Sequence, residues 1–114
     1  MKNVIVRFVC ESKEECYAIS EKLLNDKVLV KYFEWNTNAM YAFPGENVYR
    51  FLDYMFENCP NMAVRWTSPY LLTRSKKVLQ RIRQFIEENH YENKYTIRDA
   101  TNGSRLRLDF DDLL

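Results

Sequence analysis

The chain has 114 residues, 17 Lys plus Arg against 16 Asp plus Glu, and 46% apolar residues, the size and balance of one globular domain. Its 2 Trp, 8 Tyr and 7 Phe against 2 Gly and 3 Pro exclude a disordered linker, a low-complexity tract and a collagen-like repeat. No stretch reaches the roughly 18 uncharged apolar residues of a membrane span. Arg7 and Glu11 interrupt the N-terminal apolar run before a secretory core forms, so the expectation is a cytoplasmic protein that does not engage a membrane.

Val4, Ile5, Val6, Phe8 and Val9 form a β-branched and aromatic run with the length of a buried strand. Ser12 then caps a helix, with Glu15 three residues on to complete a reciprocal capping box and Cys16, Ile19, Leu23 and Leu24 as its inward stripe, ending at Asn25 and Asp26. Residues 28–35 and 39–43 read as two strands of a hairpin turning through Asn36, Thr37 and Asn38. Pro44 and Gly45 stop the second, and Val48, Phe51, Leu52, Met55 and Phe56 follow at the spacing of an amphipathic helix closed by Asn58, Cys59 and Pro60. Met62, Val64 and Trp66 alternate with Ala63 and Arg65, which predicts a fourth strand. The order βαββαβ over residues 1–67 predicts an α+β fold, a ferredoxin-like sandwich with two helices on one face of a four-stranded antiparallel sheet.

Residues 68–114 exceed that sandwich, and about 47 residues are few for a second domain, so they are expected to elaborate the same single domain. Val78, Leu79, Ile82, Phe85 and Ile86 mark a third helix over about residues 74–90. Asn102-Gly103 sits between the β-like runs 95–100 and 105–110, where a type I′ turn needs positive φ at both central positions, so the C-terminal extension is a helix and a β-hairpin. Leu106, Leu108 and Phe110 alternate with Arg105, Arg107 and Asp109, giving that hairpin one buried and one wet face.

Charge is unevenly placed: residues 1–60 carry 7 basic and 9 acidic side chains, 61–86 carry 6 and none, and 87–114 carry 4 and 7. Within the basic block Arg74, Lys77 and Arg81 fall at i, i+3 and i+7, a spacing that can follow a phosphate backbone or grip an acidic protein. A solvated helix face beside Glu87, Glu88 and Glu92 explains the same spacing without a ligand, and charge runs are usually that. Tyr41-Ala42-Phe43 resembles the aromatic-small-aromatic strand of RNA-recognition domains, which share the βαββαβ order. The resemblance implies that Tyr41 and Phe43 stack on the bases of a single strand. Ala39-Met40 and Pro44 depart from that pattern, as does Ile5 in the first strand, and the residues themselves favour burial of both aromatics beneath the C-terminal helix and hairpin.

Catalytic and metal constellations are not legible. The single His90 falls at the end of the third helix, where histidine is explained by the last carbonyls. Cys10, Cys16 and Cys59 form no C-x-x-C pair and are expected as free thiols, and two glycines cannot build a glycine-rich phosphate cradle. No cofactor or metal is implied. The chain therefore reads as a non-catalytic binding or inhibitory module of the adaptor, immunity-protein or phage-type inhibitor class. Its expected partner is a protein, the alternative being single-stranded nucleic acid held by Arg74, Lys77, Arg81, Tyr41 and Phe43. An aromatic content that is hard to bury fully in 13.8 kDa adds the expectation of a homodimer.

Overall fold

Val4, Val6 and Phe8 alternate with Ile5 and Arg7, so the first apolar run offers one face of a strand to the core. In the computed structural model, which describes residues 3–34, 46–100 and 106–114, with 46–49, 51–52 and 65–67 described by backbone alone, this run is β1 (Val4–Phe8). It is followed by α1 (Lys13–Leu24), a 3₁₀ turn (Leu29–Lys31), β2 (Phe33–Glu34), α2 (Glu46–Asn58), α3 (Pro60–Thr67), β3 (Tyr70–Thr73), α4 (Lys76–Glu88), β4 (Tyr95–Asp99), β5 (Arg107–Leu108) and the single turn α5 (Phe110–Leu113). The five strands form one antiparallel sheet in the order β2-β3-β1-β4-β5, so the molecule is a small α+β protein.

One face of the sheet carries the core. Val4, Val6 and Phe8 of β1, Leu71 of β3 and Ile97 of β4 meet Cys16, Ile19 and Leu23 of α1 and Val78, Leu79, Ile82, Phe85 and Ile86 of α4. Aromatic edges lock the far end of α4 to β1: the Phe8 ring lies 5.9 Å from Phe85 and 6.0 Å from Tyr91. The last turn of α4 closes as a Schellman motif, with the Tyr91 amide donating to the Ile86 carbonyl and the His90 amide to that of Glu87. The residue that this motif places in the left-handed region is His90, at φ 59°.

Several expectations from sequence are corrected. Residues 62–66 are not a strand. Pro60, whose missing N–H costs nothing in a first turn, starts α3, and within it Ala63 is buried while Met62 is 48% exposed. The strand that flanks β1 is the next segment, Tyr70–Thr73, with Val4 opposite Thr73 and Arg7 opposite Tyr70. Residues 28–35 are not one strand either. The Asp26 carboxylate accepts from the amides of Val28 and Leu29 at 3.0 and 2.9 Å, which winds the 3₁₀ turn, buries Leu29 and, among the described residues of this run, leaves Phe33–Glu34 extended.

Among the described residues, 68–100 and 106–114 are part of the sheet and core rather than a layer added over them. They supply β3, β4 and β5 to it and place α4 beside α1 in the core. The last apolar run also ends early. Asp109 and Asp112 form a capping box, and Phe110 is buried as the first residue of α5, while Leu106 is 69% exposed. Ser12 Oγ accepts from the Glu15 amide at 3.2 Å as expected, but the Glu15 carboxylate turns away from the cap to Lys94 Nζ at 2.7 Å. The expected strand at 39–43 and the Asn102-Gly103 turn lie outside the described residues. Among the described residues no helix is long and apolar enough to cross a membrane.

Candidate binding face on the sheet

Burial of alternate residues on the core side puts their neighbours in β1, β3, β4 and β5 on the opposite face. The strand register arranges these neighbours in rows. Glu34 lies opposite Tyr70, Tyr70 opposite Arg7 and Arg7 opposite Thr96, while Leu72 lies opposite Ile5, Ile5 opposite Arg98 and Arg98 opposite Arg107. Ile5, Arg7, Val9, Thr96, Arg98 and Arg107 line a shallow cavity of about 340 Å³ in the middle of this face.

The cations here are arginines. The Arg7 guanidinium sits over the Tyr70 ring, 4.8 Å from its centroid, and the Tyr70 hydroxyl donates to Glu34 Oε2 at 3.1 Å. Burial holds the Tyr70 phenol above its ordinary pKa, as does its hydrogen bond to Glu34, against the opposing effect of Arg7. Stacking fixes where the Arg7 fork points. Arg98 and Arg107 are exposed, and among the described residues no carboxylate comes within ion-pair distance of Arg7, Arg98 or Arg107. Val9 is 47% exposed, so apolar surface lies among the three guanidinium groups. Such a surface can bind an anion through forked N–H donors and pack an apolar group beside it.

The basic residues singled out by sequence lie elsewhere. Ser75 caps α4 by accepting from the Val78 amide at 3.3 Å, so Arg74 precedes the helix and does not share its rows. Lys77 and Arg81 line one groove of about 520 Å³ with Val28, Tyr32 and Val78, between α4 and the 3₁₀ turn. Arg81 is engaged within the molecule, in an ion pair with Asp26 and 3.7 Å from Glu88, and Arg83 lies 3.4 Å from Glu87 and 3.6 Å from Asp111. Tyr41 and Phe43 lie outside the described residues.

Cys10 and Cys16 are buried and Cys59 is exposed, none of them in a disulfide. The Cys10 thiol is pushed well above the usual thiol range by its hydrogen bond with Cys16 and by burial. Among the described residues no group of three or more His, Cys, Asp or Glu is placed to hold a metal ion. Comparison with protein-family models, with characterised proteins and with solved structures finds no match to this chain.

Proposed function

We propose that the protein is a non-catalytic binding module of the adaptor or inhibitor class, which docks an acidic protein partner on the sheet face that bears Arg7, Arg98 and Arg107. The observation that carries this reading is the set of three arginines around Ile5 and Val9, with no carboxylate among the described residues that line the same cavity. Arg and Tyr at the edge of a small apolar centre, without Lys, is the composition of protein interfaces, where Arg is enriched and Lys depleted. The spatial order β4-β1-β3-β2, all antiparallel, supports a ferredoxin-like reading in which α1 and α4 are the two crossover helices, α2 and α3 an insertion, and β5 an added edge strand. In that arrangement α1 and α4 gather on one side of the sheet, and among the described residues the other side carries the arginine cavity. Three cysteines outside any disulfide support a cytoplasmic setting.

One observation favours single-stranded nucleic acid as a second reading: Arg98 and Arg107 stand directly opposite each other, a concentration of charge that a phosphate backbone also satisfies. Native purification of the wild-type chain beside an Arg98→Glu/Arg107→Glu variant separates the two. A stoichiometric acidic protein that co-elutes with wild type and is lost from the variant supports the protein reading. Co-eluting nucleic acid, seen as absorbance dominated by 260 nm and lost from the variant, supports the second, and a partner retained by the variant refutes this face as the site.

A further inference from the structure

We propose that Arg7, Arg98 and Arg107 form a receptor for one doubly charged oxyanion, a phosphorylated side chain of the protein partner. This rests on reading the sheet face as a protein-docking surface and adds the chemical group that it selects. Like charges directly opposite on paired strands destabilise the pairing, and the β4–β5 ladder consists of two residue pairs, one of which is Arg98↔Arg107. The repulsion is therefore borne by a short ladder, with no carboxylate among the described residues near enough to relieve it.

Arg7 completes the cluster from the neighbouring strand. Its neighbour Ile5 pairs with Arg98, so Arg7 stands diagonal to Arg98, and both line the same cavity. Charge and donor count then discriminate between ligands. A side-chain carboxylate brings one negative charge and two oxygens, and leaves two of three guanidinium charges unmet. A phosphomonoester brings nearly two charges and three acceptor oxygens, enough for each of three forks to donate. Arginine at all three positions fits this geometry better than lysine, whose ammonium is a point charge without a planar fork. The apolar surface of Ile5 and Val9 takes the carbon atoms that carry the phosphate.

Fluorescence anisotropy with three labelled probes tests this: a glutamate-flanked phosphoserine peptide, the same peptide with Glu at the phosphoserine, and an oligothymidylate. The phosphopeptide is expected to bind about tenfold more tightly than its Glu counterpart. Arg98→Gln and Arg107→Gln should each bring that ratio close to one, while Lys77→Gln, on the other side of the molecule, leaves it unchanged. Arg107→Gln should also keep or raise the thermal midpoint, since it removes a like-charge pair, which separates lost recognition from lost folding. Equal affinity for the two peptides, weakened alike by the arginine variants, overturns the phosphate preference and leaves the docking surface standing. Binding of the oligothymidylate alone overturns both, and binding of none of the three overturns the phosphate receptor.

Discussion

Arg81 and Asp26 meet in a part-buried ion pair that ties α4 to the turn after α1. The same Asp26 carboxylate uses its other oxygen to accept from the amides of Val28 and Leu29, so one side chain shapes the turn and anchors the helix. Arg81 Nη1 is buried without a hydrogen bond, so its charge depends on Asp26 and on Glu88 at 3.7 Å. Asp26→Ala should destabilise the fold by about 2 to 4 kcal/mol, since it strands a part-buried guanidinium and removes a turn cap. Asp26→Asn, which keeps the capping oxygen, should cost less. Urea denaturation of both variants measures the difference, and equal losses would show that the charge and not the cap dominates.

His90 holds a left-handed backbone at the end of α4, a conformation that costs a residue with a Cβ roughly 1 to 2 kcal/mol more than glycine. Glycine gives back part of that gain through the larger entropy of its unfolded chain. His90→Gly is accordingly expected to stabilise the protein by about 0.5 to 1 kcal/mol. A higher midpoint in thermal unfolding is the readout, and a lower one would mean that the imidazole makes a contribution larger than the backbone cost.

The three cysteines should differ in reactivity. Cys59 is exposed, whereas Cys10 and Cys16 are buried and the Cys10 thiolate is disfavoured by its neighbour and by burial. A chromogenic disulfide reagent should titrate one thiol quickly in the native protein and three in denaturant, and Cys59→Ser should remove the fast phase. A native protein with two or three fast thiols contradicts the placement of Cys10 and Cys16.

Asp53 joins α2 to α1, with Lys13 Nζ at 2.6 Å and the Tyr17 hydroxyl donating at 3.1 Å. The Lys13 ammonium, and after it Tyr17, holds the Asp53 carboxyl below its ordinary value, so the folded state favours the ionised form. The stabilisation is present above the carboxylate's unfolded pKa and is lost as pH falls through its lower folded value. Hydrogen exchange in α2 should therefore quicken in acid below the usual carboxylate range. Asp53→Asn should show the faster exchange at neutral pH and lose most of that acid dependence.

Long amphipathic periods were legible in sequence and short elements were not. α1, α2 and α4 follow from apolar residues repeated at helical spacing, and the starts of the first two from Ser12 and Pro44-Gly45. α3 was misread because five residues with Met62, Val64 and Trp66 at every second place satisfy a strand pattern, although Pro60 in front is a helix start. β3 is not legible because the four residues Tyr70–Thr73 give too little periodicity to count. The arginine face was hidden for another reason. Alternation within each strand predicts that Arg7 and Arg107 point away from the core, but only strand pairing brings residues 7, 98 and 107 together, and register is a tertiary property.

The central place of β1 governs how the chain must acquire its structure. Val4 finds its partners only at Thr73 and Asp99, so neither ladder of the first strand can close until most of the chain is available. Pairings so distant in sequence carry a large loop-closure cost and slow the search for the native topology. While that search lasts, Val4–Phe8 is an apolar segment with both backbone edges bare, the kind that recruits a strand from another molecule. During synthesis the same five residues would lean longest on chaperones, and Arg7, the fourth of them, is the one charge within the segment that resists such pairing.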